Sequence, residues 1–166
     1  NQLSVVLAKL QAAPSYRDQF ESTYPGGVTS ENLARALASF QRAILSGDSA
    51  VDQFQAGNFA ALSDEARTGL LIFESRGQCW LCHSGSNYTD ESFHNTGVSW
   101  GREPLDLGRF EVTKQEADRG KFHTPTLRTI AFTAPYMHDG SLTPLEQVVE
   151  FYDKGAGANA HLDSVI

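Results

Sequence analysis

Two cysteines and a histidine lie within five consecutive residues, and this cluster constrains the fold more than any other part of the sequence. The segment reads CWLCH over residues 79–83, and Cys79 and Cys82 are the only cysteines in the chain. In a Cys-x-x-Cys-His sequence, the two thiols lie on one helical turn and can form thioethers with a haem, while the next imidazole binds the iron. The motif therefore predicts a covalently attached haem c with His83 as an axial ligand.

Two other uses of paired cysteines fit the sequence less well. A structural zinc site needs four ligands. The remaining histidines are His94, His123, His138 and His161. No two of them have the short spacing that would complete such a site. A thioredoxin-like redox pair normally follows a strand in a βαβ unit, whereas this motif follows a helical pattern and carries its own histidine.

The charge and hydropathy of the chain limit its partners. The 166 residues carry a net charge of −7, and a nucleic-acid-binding face needs a surplus of Lys and Arg, so no nucleic acid partner is expected. No apolar run is long enough to cross a bilayer, which predicts a soluble protein without membrane insertion. The first residues lack the basic and apolar regions of a signal peptide. We interpret the chain as a mature protein or a piece of a longer one.

Helical patterns dominate both ends of the sequence. In SENLARALASFQRAI, residues 30–44, the apolar residues Leu33, Leu37, Phe40 and Ile44 recur at helical spacing. Ser63 is predicted to cap a helix over EARTGLLIFES, the segment that leads into the cysteine motif.

Near the end of the chain, TPLEQVVEFYDKG, residues 143–155, predicts a short helix. Thr143 is expected as its N-cap in a capping box with Glu146, with Pro144 at the first helical position and Gly155 as the C-cap.

Residues 84–124 have neither a helical nor a strand period, and their composition is rich in Gly, Asn, Ser, Asp and Pro. A long irregular stretch inside a compact domain is typical of a segment organised around something other than its own core, such as a large cofactor. Helices, loops and the lack of a convincing strand pair favour an all-α fold.

The residue opposite His83 on the iron decides the chemistry of the haem, because a thioether suits electron transfer and an anionic oxygen favours oxidised iron. The segment 122–155 offers five candidates: His123, Tyr136, Met137, His138 and Tyr152. Met137 is the only methionine, and on chemistry alone it is the first choice. A phenol titrates near pH 10, so Tyr152 could bind only if ferric iron strongly lowered that value.

Three segments together resemble the C-terminal haem domain of the bacterial di-haem cytochrome c peroxidase and MauG family. They are CWLCHSGSNYTDESFHNTGV, LGRFEVT and FHTPTLRTIAFTAPYMHDGSLTPLEQVVEFYDKG. The resemblance implies a cytochrome c-like haem domain with long irregular loops around the haem. It also implies that Tyr152 takes the place of the distal ligand, as the tyrosine of MauG-like members does, with Met137 as the alternative.

The resemblance assigns further roles. It implies that His138 lies between two haems on the inter-haem electron route, and that the backbone carbonyls of Thr133 and Pro135 bind calcium. Arg128 is a candidate partner of a haem propionate or of an ordinary carboxylate. The tryptophan that MauG uses just before its motif has no equivalent, since Gly77 stands at that position.

The resemblance also implies a domain plan and a function. Residues 1–60 would link from an absent N-terminal domain that carries the second haem, and residues 61–166 would form a C-terminal haem domain that is truncated at its end. The expected enzyme is periplasmic and reduces hydrogen peroxide, or uses it to oxidise a protein substrate. Its electron donor would be a c-type cytochrome or a cupredoxin, and a homodimer is left open. The alternative is a stand-alone c-type cytochrome with His/Met ligation.

Overall fold

The computed structural model describes residues 2–166 and divides into two compact units. The first unit ends at Ser46 and the second is Gly47–Ile166. Residues 47–60 therefore belong with the second unit in the structure, whereas the assignment of residues 1–60 as a link to another domain stays a prediction. None of the described helices is both long enough and apolar enough to cross a membrane.

The first unit consists of three helices, α1 (Gln2–Ala12), α2 (Pro14–Thr23) and α3 (Ser30–Ala43). The third confirms the helix predicted from apolar spacing. Its N-cap is Thr29, whose hydroxyl accepts a hydrogen bond from the Asn32 backbone N–H at 3.1 Å. The buried Asn32 amide donates to the carbonyls of Pro25 and Gly27, which ties the preceding turn to the helix.

The second unit contains four helices and one small sheet. The helices are α4 (Ala50–Gln55), α5 (Asp64–Glu74), α6 (Phe110–Thr113) and α7 (Leu145–Asp153). The sheet pairs β1 (Phe93–His94) with β2 (Phe122–His123) in antiparallel register. The rest is made of turns and short 3₁₀ segments, so the predicted all-α class with long loops is confirmed for the described residues.

Helix α5 leads the chain into the cysteine motif. Its N-cap is Ser63, as predicted, because the Ser63 hydroxyl accepts from the Ala66 N–H at 3.2 Å. After the helix ends, the Gly77 N–H donates to the Ile72 carbonyl at 2.8 Å. A Cβ at residue 77 would lie 2.7 Å from that carbonyl oxygen, so only glycine fits the turn that directs the chain into Cys79.

The capping box predicted for α7 is wrong, although the helix itself is present. The N-cap is Pro144, in extended conformation, and its side chain makes no capping bond. The Thr143 N–H donates instead to the Gln147 side chain at 3.4 Å, which replaces the predicted pairing with Glu146. At the other end of α7 the C-cap is Lys154, whereas Gly155 was predicted to be the C-cap. Gly155 follows directly and has the left-handed conformation, φ +84°, that is typical of a glycine at the end of a helix.

Few apolar side chains of the second unit are buried against one another. Among its described residues, Leu62 and Tyr136 are the buried apolar ones, whereas Asn95, Ser99 and Thr124 are buried and polar. Large apolar side chains remain exposed across the unit, namely Phe59, Leu71, Trp80, Leu81, Val112, Phe132, Val149, Tyr152, Val165 and Ile166. The second unit therefore does not form an apolar core of ordinary size from its own side chains.

A polar hub at Asn95 takes over part of the role of that core. The Asn95 side chain is fully buried, donates to the Arg119 carbonyl at 2.8 Å and accepts from the Gly97 N–H at 2.9 Å. The Asn159 amide also donates to it at 3.2 Å, and the Asp163 N–H donates to the Asn95 backbone carbonyl at 3.0 Å. One side chain thus joins β1, the loop before β2 and the segment after α7.

Replacement of Asn95 by alanine is expected to destabilise the protein by about 3 kcal/mol, because it leaves buried backbone groups without partners. Urea unfolding followed by far-UV circular dichroism measures this change. Asn87→Ala, at an exposed position, is the matched control and should change the free energy of unfolding by less than about 0.5 kcal/mol. Equal effects of the two substitutions would contradict the role of the hub.

Candidate haem site

The two cysteines and the histidine of the motif lie on one tight helical turn. Cys79–Leu81 forms a 3₁₀ segment, and the N–H groups of Cys82 and His83 both donate to the Cys79 carbonyl. Both thiols are free. Burial is the main cause that raises the pKa of each cysteine above its ordinary value, so both side chains are neutral thiols at physiological pH.

The orientation of the His83 ring is set by the loop that follows it. His83 Nδ1 lies 2.9 Å from the Tyr88 carbonyl oxygen, and because a carbonyl can only accept, Nδ1 carries the proton. The Asp90 N–H donates to the Cys82 carbonyl at 2.8 Å, which folds the loop back onto the motif. Nε2 therefore carries the free lone pair and would be the nitrogen available to a metal, as is usual for metal-binding histidines.

Tyr152 lies in the last turn of α7. Although the Tyr152 side chain as a whole is 39% exposed, desolvation of its phenol group is the main cause that raises the phenol's pKa; the Thr96 side chain lowers that pKa, and Cys82 and Cys79 raise it further once they ionise at high pH. Met137 lies in the turn that joins Tyr136 to Leu142, with φ +68°.

The donor set and its surroundings fit a haem c. Two free thiols and an oriented imidazole share one turn, and the same thiols influence the pKa of the Tyr152 phenol, an oxygen donor of the right chemistry. The second unit also lacks an apolar core of its own, while Trp80, Leu81 and Tyr152 are exposed. A porphyrin is a large apolar body that such side chains can cover.

Arg128 has partners within the chain. Its guanidinium donates to the Asp52 carboxylate and to the Ser86 carbonyl, with Nε at 2.8 Å from the carbonyl oxygen, and it lies over the Tyr88 ring. The hydrogen bond from Arg128 is the main cause that holds the pKa of Asp52 far below its usual range. Arg128, Asp52 and His83 line one cavity of about 670 Å³. Pairing of Arg128 with a haem propionate stays a prediction.

His138 is held flat against an aromatic ring. Its imidazole stacks on Phe122 with 3.5 Å between ring centroids and 9° between planes, and its side chain is only 17% exposed. Desolvation is the main cause that lowers the pKa of His138; the nearby Asp139 and Asp106 raise it, and Arg102 lowers it. His138 is therefore neutral near pH 7, and its role on an electron route stays a prediction.

The carbonyl groups of Thr133 and Pro135 accept no hydrogen bond from any side chain or backbone N–H in residues 2–166. They therefore remain available to a hard cation, for which carbonyl oxygens are suitable ligands. The calcium site implied by the resemblance stays a prediction, since it needs further ligands.

Sequence reasoning missed a histidine that is bonded on both ring nitrogens. His94 Nε2 lies 2.8 Å from an Asp90 carboxylate oxygen, and Nδ1 lies 2.8 Å from an Asp163 carboxylate oxygen. Because carboxylates only accept, two such bonds require the doubly protonated imidazolium. Asp163 is 69 residues from His94 in the sequence, so no local pattern indicates the pair.

The same region contains three metal-binding side chains. Ligand atoms of Cys82, Asp90 and His94 all lie within 4.8 Å of one another. Both nitrogens of His94 are already bonded to carboxylates, and Cys82 is a candidate for thioether formation. We therefore interpret these three side chains as part of the structure that supports the motif and propose no separate metal site there.

Comparison with known proteins shows which sequences this chain is similar to. The family model described as di-haem cytochrome c peroxidase matches residues 1–60. The methylamine utilization protein MauG of Methylorubrum extorquens is 37% identical over 157 residues, which cover 92% of this chain and 44% of that protein. The cytochrome c peroxidase Ccp of Escherichia coli K12 is 33% identical over 150 residues, covering 87% of this chain and 32% of that protein.

A solved structure is similar as well. The crystal structure of a MauG-like protein associated with microbial copper homeostasis aligns with a TM-score of 0.77 and 31% sequence identity. The alignment covers 98% of this chain and 55% of that one. The chain thus spans about half of the length of each such MauG-type protein.

The His94 pair predicts a pH-dependent stability. Desolvation lowers the pKa of His94, but the hydrogen bonds and charges of Asp90 and Asp163 outweigh it and raise the pKa above the ordinary 6.5. A histidine whose pKa is raised by folding stabilises the protein fully below its unfolded value, and this stabilisation is lost as the pH rises through the folded value.

Asp163→Asn removes one of the two carboxylates and is expected to lower the unfolding midpoint more at about pH 6 than at about pH 9. Thermal unfolding at the two pH values measures the difference. Asp153→Asn, at an exposed carboxylate on α7, should show no such dependence. An equal effect of Asp163→Asn at both pH values would contradict the imidazolium assignment.

Proposed function

Because the chain belongs to the di-haem cytochrome c peroxidase and MauG family, we propose that it supplies an electron-transfer haem c domain to a peroxide-using oxidoreductase. The observation that carries this proposal is the turn of residues 79–83, with two free thiols and a His83 ring oriented by the Tyr88 carbonyl. The relatives named above are a MauG and a cytochrome c peroxidase, which supports the class of reaction.

The proposed roles at the haem follow from the residues around the motif. Cys79 and Cys82 would hold the group covalently, His83 would bind through Nε2, and Tyr152 would approach from α7 as the distal ligand. A haem c held this way supplies an iron that changes oxidation state, and a phenolate ligand favours the more oxidised states. The protein contributes the orientation of both ligands and a partly covered site.

The overall reaction of the intact enzyme is proposed as the reduction of hydrogen peroxide to two waters with two electrons and two protons. The electrons would come from a small c-type cytochrome or cupredoxin, or from a protein substrate that is oxidised in a MauG-like reaction. The second haem would lie in the part of the enzyme that this chain does not contain. Haem c attachment outside the bacterial inner membrane supports a periplasmic location.

Four further residues have proposed roles. His138 would lie on the inter-haem electron route, and its neutral, stacked ring is compatible with a fixed orientation. Thr133 and Pro135 would contribute two carbonyl ligands to a calcium ion. Arg128 would approach a propionate only if Asp52 shares its guanidinium.

Covalent haem attachment is the first test. The protein expressed with the haem c maturation system should keep its haem on a denaturing gel, and a haem stain detects this. Replacing both Cys79 and Cys82 by serine should abolish the stained band, because no thioether can form. A wild-type protein without covalent haem would contradict the proposed function.

The distal ligand is tested by a matched pair of variants. Tyr152→Phe removes the phenol oxygen and should convert the ferric haem from six-coordinate low spin to high spin, as measured by absorption and electron paramagnetic resonance spectra. Met137→Leu should leave both spectra unchanged. The reverse result, or a methionine-to-iron band in the wild type, would favour the stand-alone cytochrome with His/Met ligation.

A further inference from the structure

The segment that follows α7 is anchored directly to the segment that follows β1. At the end of α7, the Gly155 N–H donates to the Tyr152 carbonyl at 2.9 Å and the Ala156 N–H donates to the Phe151 carbonyl at 3.0 Å. The Gly157 N–H then donates to the Thr96 carbonyl at 3.0 Å. Only four residues separate Tyr152 from Gly157, so the position of Gly157 limits where the tyrosine can lie.

Two glycines make the anchor possible. A Cβ added to Gly97 would lie 1.8 Å from the Gly157 carbonyl oxygen, and a Cβ added to Gly157 would lie 2.1 Å from the Gly97 carbonyl oxygen. The two backbones therefore touch at a distance that no side chain permits. Gly97 also has φ +73°, a conformation that glycine adopts readily.

Buried hydrogen bonds hold both sides of the glycine contact. The Gly97 N–H donates to the Asn95 side chain at 2.9 Å, and the Asn159 amide donates to the same oxygen at 3.2 Å. Asn159 also donates to the Gly157 carbonyl at 2.8 Å. Residues on either side of the contact thus share one fully buried partner, which makes the contact rigid.

Thr96 takes part in this contact and is also close to Tyr152. Its carbonyl accepts from the Gly157 N–H at 3.0 Å, and its side chain is close enough to the Tyr152 phenol to lower the pKa of that group. A threonine hydroxyl can donate to a phenolate oxygen that also binds a metal, since that oxygen keeps a lone pair. The same residue therefore belongs to the anchor of α7 and lies near the side chain of the proposed ligand.

We propose that Thr96, together with the Gly97–Gly157 backbone contact, positions Tyr152 for binding to the haem iron. Thr96 acts on the ligand oxygen through its hydroxyl, and the glycine contact sets the distance of α7 from β1. Thr96, Gly97 and Gly157 are therefore positioning residues, because each acts on the haem only through Tyr152. This inference rests on the proposed function, in which Tyr152 is the distal ligand.

The glycine contact is tested with a pair of alanine substitutions at positive φ. Gly97→Ala puts a Cβ into the Gly157 backbone. Gly101 has a similar φ of +84°, but a Cβ added there would have no heavy atom within 4 Å. In the haem-loaded protein, Gly97→Ala should lose low-spin ferric signal relative to Gly101→Ala, while far-UV circular dichroism reports whether each variant folds. Equal spectra of the two folded variants would overturn the inference.

Thr96 provides a second test that does not depend on the folding of the glycine variant. Thr96→Val keeps the shape and removes the hydroxyl, and it should lower the imidazole concentration that half-displaces Tyr152 by about tenfold, the effect of one hydrogen bond to a charged group. Thr96→Ser restores the hydroxyl and should stay within about twofold of the wild type. An unchanged imidazole titration in Thr96→Val would overturn the role of Thr96.

Tyr152→Phe separates failure of this inference from failure of the proposed function. If Tyr152→Phe leaves the ferric spectrum unchanged, Tyr152 is not the ligand and the proposed function loses its distal residue. If Tyr152→Phe changes the spectrum while Thr96→Val and Gly97→Ala match their controls, only the positioning role is wrong.

Discussion

The buried amide of Asn95 bonds to backbone and side-chain groups from three separate parts of the second unit. An amide in the interior is costly unless its donors and acceptor are satisfied, and each of these bonds gains strength from the low dielectric around it. Where apolar side chains would normally hold loops together, this unit uses directional bonds. Such bonds specify one geometry more narrowly than apolar contact does, which suits a site that must orient ligands from distant segments.

The parts of the structure that depend on neighbouring residues could be predicted from the sequence. The apolar spacing of residues 30–44 predicted α3, Ser63 predicted the start of α5, and the Cys79–His83 motif predicted a turn that presents two thiols and an imidazole. The capping box of α7 was wrong because Pro144 takes the cap position in extended conformation, so the helix begins one residue later than the pattern indicated.

The parts that depend on distant residues could not be predicted. His94 is paired with Asp163 across 69 residues, and Asn95 with Asn159 across 64. A lone histidine or asparagine in a polar loop has no period and no motif, so nothing in the sequence separates it from its exposed neighbours. Thr96 is similar, because its proposed role toward Tyr152 depends on a backbone bond to Gly157, 61 positions away in the sequence. The candidate ligands were thus predictable one by one, whereas the residues that arrange them were not.

The bond between Arg128 and Asp52 has a consequence for the order of folding. It joins residues 76 positions apart, and Asp52 also caps α4 through Ser49. Closing so long a loop costs chain entropy before the bond can compensate for it, so local helices such as α4 and α5 are expected to form earlier. An interaction formed late chiefly slows unfolding. Arg128 therefore contributes to the lifetime of the folded state rather than to the speed with which it is reached.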